Sequence, residues 1–164
     1  MPQHDLLLNP NATPDAAYGR EQAAILNSTG LSEAHNIISA WPGYAPTPLR
    51  DLPGLSANTG VAAIHYKDEN YRFDLKSFKP LGGAYAVARL LMDKLPEMLD
   101  VEEINITELL TGRHSKACAK LTVTAATDGN HGRAVAWSAQ MFGCKCVIFI
   151  NAAVSKGREQ AISD

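Results

Sequence analysis

Cysteine, aromatic side chains and surplus charge are all scarce in this sequence of 164 residues. Its three cysteines (Cys118, Cys144 and Cys146) cannot all pair with one another, which excludes a disulfide-stapled scaffold and suits a reducing compartment. The 15 Lys and Arg nearly cancel the 17 Asp and Glu, leaving a net charge of −2. A nucleic-acid binder needs a basic face, so this balance argues against nucleic acid as a partner. No block of like charge marks a membrane-surface patch. No apolar run approaches the ~20 residues needed to cross a bilayer. Leu6-Leu7-Leu8 is too short for the core of a signal peptide, and no basic cluster precedes it. The expected location is therefore the cytoplasm, with no membrane partner. There is no Gly-x-Gly-x-x-Gly or Walker-type loop to support a nucleotide site, and no internal repeat or low-complexity tract.

What is present is the composition of a globular chain, 46% hydrophobic and 20% charged, of a size that fits one ordinary domain. After a loose arm over residues 1–13, Thr13-Pro14-Asp15 predicts a helix start with a capping Thr and Pro in the first turn, running to about Leu26. A second helix is expected from Ser32 to Ala40. Trp41 to Leu49 carries Pro42, Pro46 and Pro48 and must be extended or turned. Val61 to Tyr66 reads as a strand, followed by a polar turn at Lys67-Asp68-Glu69-Asn70. Gly83 to Leu95 reads as a helix with Ala84, Ala88, Leu91 and Leu95 on one face, ended or kinked by Pro96. A shorter helix is expected within Asp100 to Leu110.

The last third has the clearest pattern. Leu121 to Ala126 alternates as a strand, Thr127 to Gly132 is a turn, and Arg133 to Phe142 is a helix stopped by Gly143. Cys146 to Ile150 is a continuous apolar run, expected of a strand buried on both faces of a parallel sheet. Together they form one βαβ unit. A further helix starts at Ser155 and the chain stops at Asp164, where an α/β pattern calls for another strand. The fold is therefore expected to be truncated.

Two segments carry groups suited to chemistry. In Ser77-Phe78-Lys79-Pro80-Leu81-Gly82-Gly83 a lysine precedes a helix, and two glycines permit close approach. An amine held in dry surroundings is a nucleophile toward an aldehyde; a solvated loop lysine beside turn glycines fits the same residues. Thr127-Asp128-Gly129-Asn130-His131-Gly132 leaves the C-terminal end of a strand, where ligands bind in open α/β sheets. The free N–H groups of the following helix favour an anion such as a carboxylate. An ordinary strand-to-helix turn uses the same residue types for backbone reasons. Cys144 and Cys146 share a strand face without further ligands at zinc spacing, so packing rather than metal binding is expected.

Taken together, the Ser-x-Lys segment and the Gly-Asn-His turn, with Lys79 and Asn130 placed 51 positions apart, resemble the fold-type II pyridoxal-phosphate (PLP) enzymes, the tryptophan synthase β-like family. Pro46-Thr47-Pro48-Leu49 matches that family's Thr-Pro-Leu segment. Within the family the resemblance is strongest to the ammonia-lyases acting on 2,3-diaminopropionate. It rests on Leu81-Gly82-Gly83-Ala84-Tyr85 after the lysine, on Pro42-Gly43-Tyr44 in the entry segment, and on Asp128 where serine and threonine dehydratases carry Ser.

The resemblance implies a three-layer α/β/α fold with a parallel sheet. Residues 1–60 would be an arm and helices of the large domain, and residues 61–164 the part carrying the lysine and the turn, with the C-terminal half absent. It implies PLP as cofactor, with Lys79 as Schiff-base lysine and base, and Phe78 and Asn130 beside the cofactor. Thr127, Asp128, Gly129 and His131 would meet the amino-acid substrate, and Asp128 would act as second base so that both enantiomers react to pyruvate and ammonia. It also implies a homodimer in the full-length family, and places the glycine-rich phosphate cup outside this chain. Two alternatives stand beside it: another PLP-dependent ammonia-lyase of the threonine or serine dehydratase type, and a non-catalytic fragment that needs a second chain.

Overall fold

The computed structural model describes residues 7–163. Residues 1–6 of the expected arm and Asp164 of the last expected helix lie outside the described residues. The chain divides into two compact units, residues 1–33 and 34–164. The first holds α1 (Arg20–Ile25) and the opening of α2 (Ser28–Ser39). Of the helix expected from Thr13 to about Leu26, only Arg20–Ile25 is helical. Residues 7–18 are all exposed, and Thr13 accepts one turn bond, from Ala16 N–H at 3.0 Å. Capping chemistry alone does not start the helix there, because a first turn is costly to nucleate. Gly19 is extended, and α1 begins only after it, with the Gln22 side chain accepting the Gly19 N–H at 3.0 Å.

In the second unit β1 (Leu49–Asp51) pairs antiparallel with β2 (His65–Lys67), and α3 (Pro53–Thr59) lies between them in sequence. A 3-10 turn (Glu69–Tyr71) follows, then α4 (Pro80–Leu99), α5 (Ile106–Leu110) and α6 (Ser115–Cys118). The expected βαβ unit closes the chain: β3 (Thr122–Ala126), α7 (Asn130–Phe142) and β4 (Lys145–Phe149), with α8 (Lys156–Ser163) after it. β3 and β4 are parallel, with Thr122 opposite Lys145 and Ala126 opposite Phe149.

The core lies between α4 and α7 and under β3. Ala84, Ala88, Leu91 and Leu95, the four residues expected on one face of α4, have no exposed surface. Ala134, Val135, Ala139 and Phe142 bury the facing side of α7. Pro96 does not end α4, which continues to Leu99. An interior proline costs about 3 kcal/mol. Burial of Leu91 and Leu95 contributes about 1.5–3 kcal/mol each to the helix before it, while Glu97 to Leu99 beyond it are exposed. The helix expected from Asp100 starts later, at Ile106, because Asp100 takes a left-handed conformation (φ 54°) that closes α4. Asn105 then caps α5, with the Asn105 and Glu108 side chains each accepting the other's backbone N–H. The strand expected at Val61 begins only at His65, where pairing with Asp51 starts.

β4 departs from expectation in its burial. Cys146 and Ile148 are half-buried against the core, while Val147 and Phe149 are 44% and 63% exposed. Among the described residues α7 covers one face of the β3–β4 pair, so the apolar run alternates instead of being buried on both sides. Cys118 is buried, and burial pushes the Cys144 thiol up to about 12, with the Cys118 and Cys146 thiols raised in the same direction. Among the described residues no helix is long and apolar enough to cross a membrane.

The polar turn after β2 is a charge network, not a solvated loop. Arg72 is 7% exposed. Its Nε donates to Glu69 Oε2 at 2.9 Å, its Nη1 to the Ala45 carbonyl at 3.0 Å, and its Nη2 to Thr47 Oγ1 at 3.2 Å. Thr47 in turn donates to Glu69. One guanidinium thus ties the proline-rich entry segment to the loop before α4. The Arg72 guanidinium holds the Glu69 carboxyl below its ordinary value of 4.5. A carboxyl with a depressed folded pKa stabilises the fold above its unfolded pKa, and that contribution is lost as pH falls through the folded value. Thermal melts of the wild type between about pH 5 and about pH 3 will therefore show a steeper loss of Tm than melts of Glu69→Gln. Parallel curves for the two proteins would remove Glu69 from the account.

Candidate active site

Lys79 sits at the N-cap of α4 in a helical conformation (φ −57°, ψ −30°), with Pro80 in the first turn. Its backbone N–H donates to Ser77 Oγ at 3.2 Å, and its carbonyl accepts the Gly83 N–H at 2.8 Å. The loop leading to it is unusual. Phe73, Asp74 and Lys76 all have positive φ (50°, 56° and 54°). Left-handed backbone costs an L-residue roughly 1–2 kcal/mol, so surrounding contacts must hold it. Phe73 is buried and stacks on Trp137 of α7, ring centroids 5.0 Å apart at 30°, with Trp41 at 5.8 Å. Arg72 anchors the start of the same loop.

The turn Thr127 to His131 leaves β3 as expected. The Thr127 N–H donates to the Phe149 carbonyl at 2.9 Å, which fixes the turn to the end of β4. Thr127 Oγ1 accepts the Gly129 N–H at 3.4 Å. Asn130 opens α7, and Arg133 N–H closes its first turn on the Gly129 carbonyl at 3.2 Å. Asp128 Oδ1 accepts the Asn151 N–H at 3.1 Å, so one carboxylate oxygen bridges the ends of the two strands and the other is left for a ligand. Asp128, Gly129, Asn130 and Arg133 border a depression of about 360 Å³ shared with Gly157, Arg158 and Ala161 of α8.

Two glycines bring these parts together. A Cβ placed at Gly83 would lie 3.3 Å from the Ala134 Cβ and 3.4 Å from His131 Nδ1, so the first turn of α4 rests against the His131 ring and the first turn of α7. A Cβ at Gly132 would lie 2.8 Å from Thr127 Cγ2 and 3.1 Å from Ile148 Cγ2, so α7 is pressed still more closely onto β4 and the turn after β3. Lys79 and Asn130, far apart in sequence, therefore border one junction. The Lys79 Nζ lies 4.8 Å from the centroid of the Phe78 ring. Lys79, Phe78, Asp128, Asn130 and His131 are exposed, so the amine is not in the dry surroundings that favour its neutral form.

The donors suit an aromatic aldehyde bearing a ring oxygen, together with a carboxylate. An amine is available for the carbonyl carbon, an amide for the oxygen, and the unpaired N–H groups at the start of α7 for the anion. Sequence reasoning missed Arg72, Phe73 and Arg133. Arg133 Nη1 donates to the Leu75 carbonyl at 3.3 Å. Its position directly after the Gly-Asn-His-Gly turn was the available signal, and it read as an ordinary helix residue.

The family described as "Pyridoxal-phosphate dependent enzyme" matches residues 40–164. Among curated relatives, diaminopropionate ammonia-lyase of Salmonella typhimurium is 38% identical over 148 residues, covering 90% of this chain and 36% of that protein. Diaminopropionate ammonia-lyase of Escherichia coli is 44% identical over 145 residues, covering 88% of this chain and 35% of the relative. The crystal structure of the Escherichia coli enzyme in complex with an aminoacrylate–PLP azomethine reaction intermediate superposes with a TM-score of 0.68 at 37% identity, over 83% of this chain and 32% of that one. The chain thus spans about a third of the length of the relatives it matches, and it shares their fold-type II α/β architecture over that span.

The glycine contacts generate a paired stability prediction. Gly132→Ala forces its Cβ against Thr127 and Ile148 and will cost about 1–3 kcal/mol in a denaturant melt. Gly82→Ala, whose Cβ meets nothing within 4 Å, will be neutral or stabilising by about 0.4–1 kcal/mol. Equal melting of the two variants would contradict the close approach at α7.

Proposed function

Because this chain belongs to the family of pyridoxal-phosphate-dependent enzymes, matched over residues 40–164, we propose that it carries the amine-bearing part of an ammonia-lyase active site. Its reaction in this reading is β-elimination of 2,3-diaminopropionate, D or L: the β-amino group leaves as ammonia, and water hydrolyses the released enamine to pyruvate and a second ammonia. The observation that carries the reading is the junction at Gly83 and His131, which sets the helix capped by Lys79 against the helix opened by Asn130. The identity to diaminopropionate ammonia-lyases supports the choice of substrate. In the same reading residues 1–60 belong to the large domain, and residues 61–164 supply the lysine and the substrate turn.

Bound PLP supplies an electron sink that makes the α-proton of an attached amino acid acidic. Lys79 Nζ is the amine that holds the cofactor. Lys79 would also serve as the base that removes the α-proton from one face. Asp128 has one oxygen committed to Asn151 and one open, and takes the proton of the other enantiomer from the opposite face. Asn130 donates its side-chain amide to the cofactor's ring oxygen, and Phe78 flanks it. Thr127 and the N–H groups from Gly129 to His131 hold the substrate carboxylate at the positive end of α7.

The test begins with the purified chain and PLP. A visible absorption band, absent in Lys79→Ala and trapped on Lys79 by borohydride, is the expected result. The exposure of Lys79 makes the variant safe for folding. Pyruvate release from each enantiomer then tests the two bases. Asp128→Asn is expected to slow one enantiomer by at least about a hundredfold more than the other. A band that persists in Lys79→Ala would overturn the assignment of the lysine. Elimination from serine or threonine without diaminopropionate turnover would replace the substrate with that of the dehydratases. A chain that takes up no PLP would be a non-catalytic fragment.

A further inference from the structure

The guanidinium of Arg133 joins the two halves of this site from below. Its backbone closes the first turn of α7 on Gly129, inside the substrate turn. Its side chain crosses to the other segment, where Nη1 donates to the Leu75 carbonyl at 3.3 Å, 58 positions earlier in the sequence. Leu75 lies between Asp74 and Lys76, both in left-handed backbone, four residues before Lys79. Trp137, one helical turn after Arg133 on the same face of α7, stacks on Phe73 of the same loop. Two successive turns of α7 thus grip the strained loop at Phe73 and at Leu75.

Arg133 accepts a cost in this position. Its Nε is buried without a hydrogen-bond partner. A planar guanidinium carries five donors in a fixed fork, and here a weak bond to one carbonyl leaves the buried Nε unused. An apolar side chain of similar length would fill the space without that penalty. Arginine is therefore a poor choice for stability alone, and the bond to Leu75 is what it alone among these groups supplies.

We propose that Arg133 is a positioning residue that sets Lys79 relative to the Asp128–His131 turn, by tethering the left-handed loop at Leu75 to the first turn of α7. The inference rests on the reading of Lys79 as the PLP-holding amine. It adds a residue that acts on Lys79 through the loop, by its bond to the Leu75 carbonyl.

The test compares the wild-type chain with Arg133→Met and Arg133→Lys, using amide hydrogen exchange in the absence of cofactor and PLP titration followed by borohydride trapping. Arg133→Met is expected to keep the wild-type Tm and the protection of the α4 and α7 interiors. It should speed exchange over residues 75–79 by about tenfold and weaken PLP binding at Lys79 by about tenfold. Arg133→Lys keeps a cationic donor within reach of Leu75 and should recover most of both losses. Unchanged exchange over residues 75–79 in Arg133→Met would overturn the proposal. So would a general loss of protection along α7, which marks a merely structural role, with Arg133→Lys serving as the comparison if the methionine variant fails to fold. If the wild type forms no adduct at Lys79, the functional reading falls, and the exchange measurement still decides whether the tether exists.

Discussion

The close approach of α4 to α7 at Gly83 is the constraint on which the rest of the site depends. The first turn of α7 is held on two sides. Gly83 admits the His131 ring and Ala134 from the α4 side, and Gly132 admits Thr127 and Ile148 from the strand side. A methyl group at either position meets a neighbour at 3.3 Å or less, so neither contact can be relaxed without displacing an element. Both glycines adjoin the chemistry: Gly83 is one turn after Lys79, and Gly132 follows His131. The position of the amine relative to the turn is therefore fixed by backbone packing rather than by bonds between the reacting groups.

The entry to α4 shows what this placement costs. Three residues of Phe73–Lys76 sit in left-handed backbone, which L-residues adopt at a cost. Offsetting interactions come from three directions. Arg72 binds Glu69, Thr47 and the Ala45 carbonyl, Phe73 stacks on Trp137 with Trp41 tilted against it, and Arg133 holds Leu75. A hydrogen bond to a charged group contributes about 1.5–3 kcal/mol, the same order as the strain of one residue. Strain that persists only because several contacts determine it together tends to mark functional segments. Here it lies immediately before the candidate nucleophile.

Much of this was legible in the residues themselves. The 3.6-residue spacing of Ala84, Ala88, Leu91 and Leu95 marked the buried face of α4, and all four are fully buried. Strand alternation and the Gly-rich turn marked the βαβ unit, which forms in parallel register. Lys79 and Asn130 were legible through their flanking glycines, one of which makes the contact that joins the two segments. The misses differ in kind. Thr13-Pro14-Asp15 has good capping chemistry, yet the helix begins only at Arg20, after the extended Gly19. Pro96 has breaking chemistry, yet α4 runs on to Leu99. The Arg72 network was illegible because Glu69 and Thr47 lie at different sequence distances from Arg72 and no period relates them. Arg133 was illegible because its partner is a backbone carbonyl, which no sequence pattern marks.

Position and desolvation are separable requirements for the chemistry, and this chain treats them differently. A lysine amine is a nucleophile in its neutral form, which a low-dielectric surround favours and water opposes. A low-dielectric surround also strengthens every electrostatic interaction inside a site. The 34–164 unit fixes where Lys79, Asp128 and Asn130 stand, through contacts internal to that unit. It leaves all three exposed, with Phe78 at 57% and Phe149 at 63% presenting apolar surface beside them. Geometry of this kind does not depend on what covers the site, because the glycine contacts, the aromatic stack and the two arginines all lie beneath it. Adduct formation at an exposed amine needs only the right placement, whereas turnover also needs the cover. The relatives that share this architecture are about three times as long as the part they share. Placement of Lys79, Asp128 and Asn130 thus rests on contacts within residues 34–164.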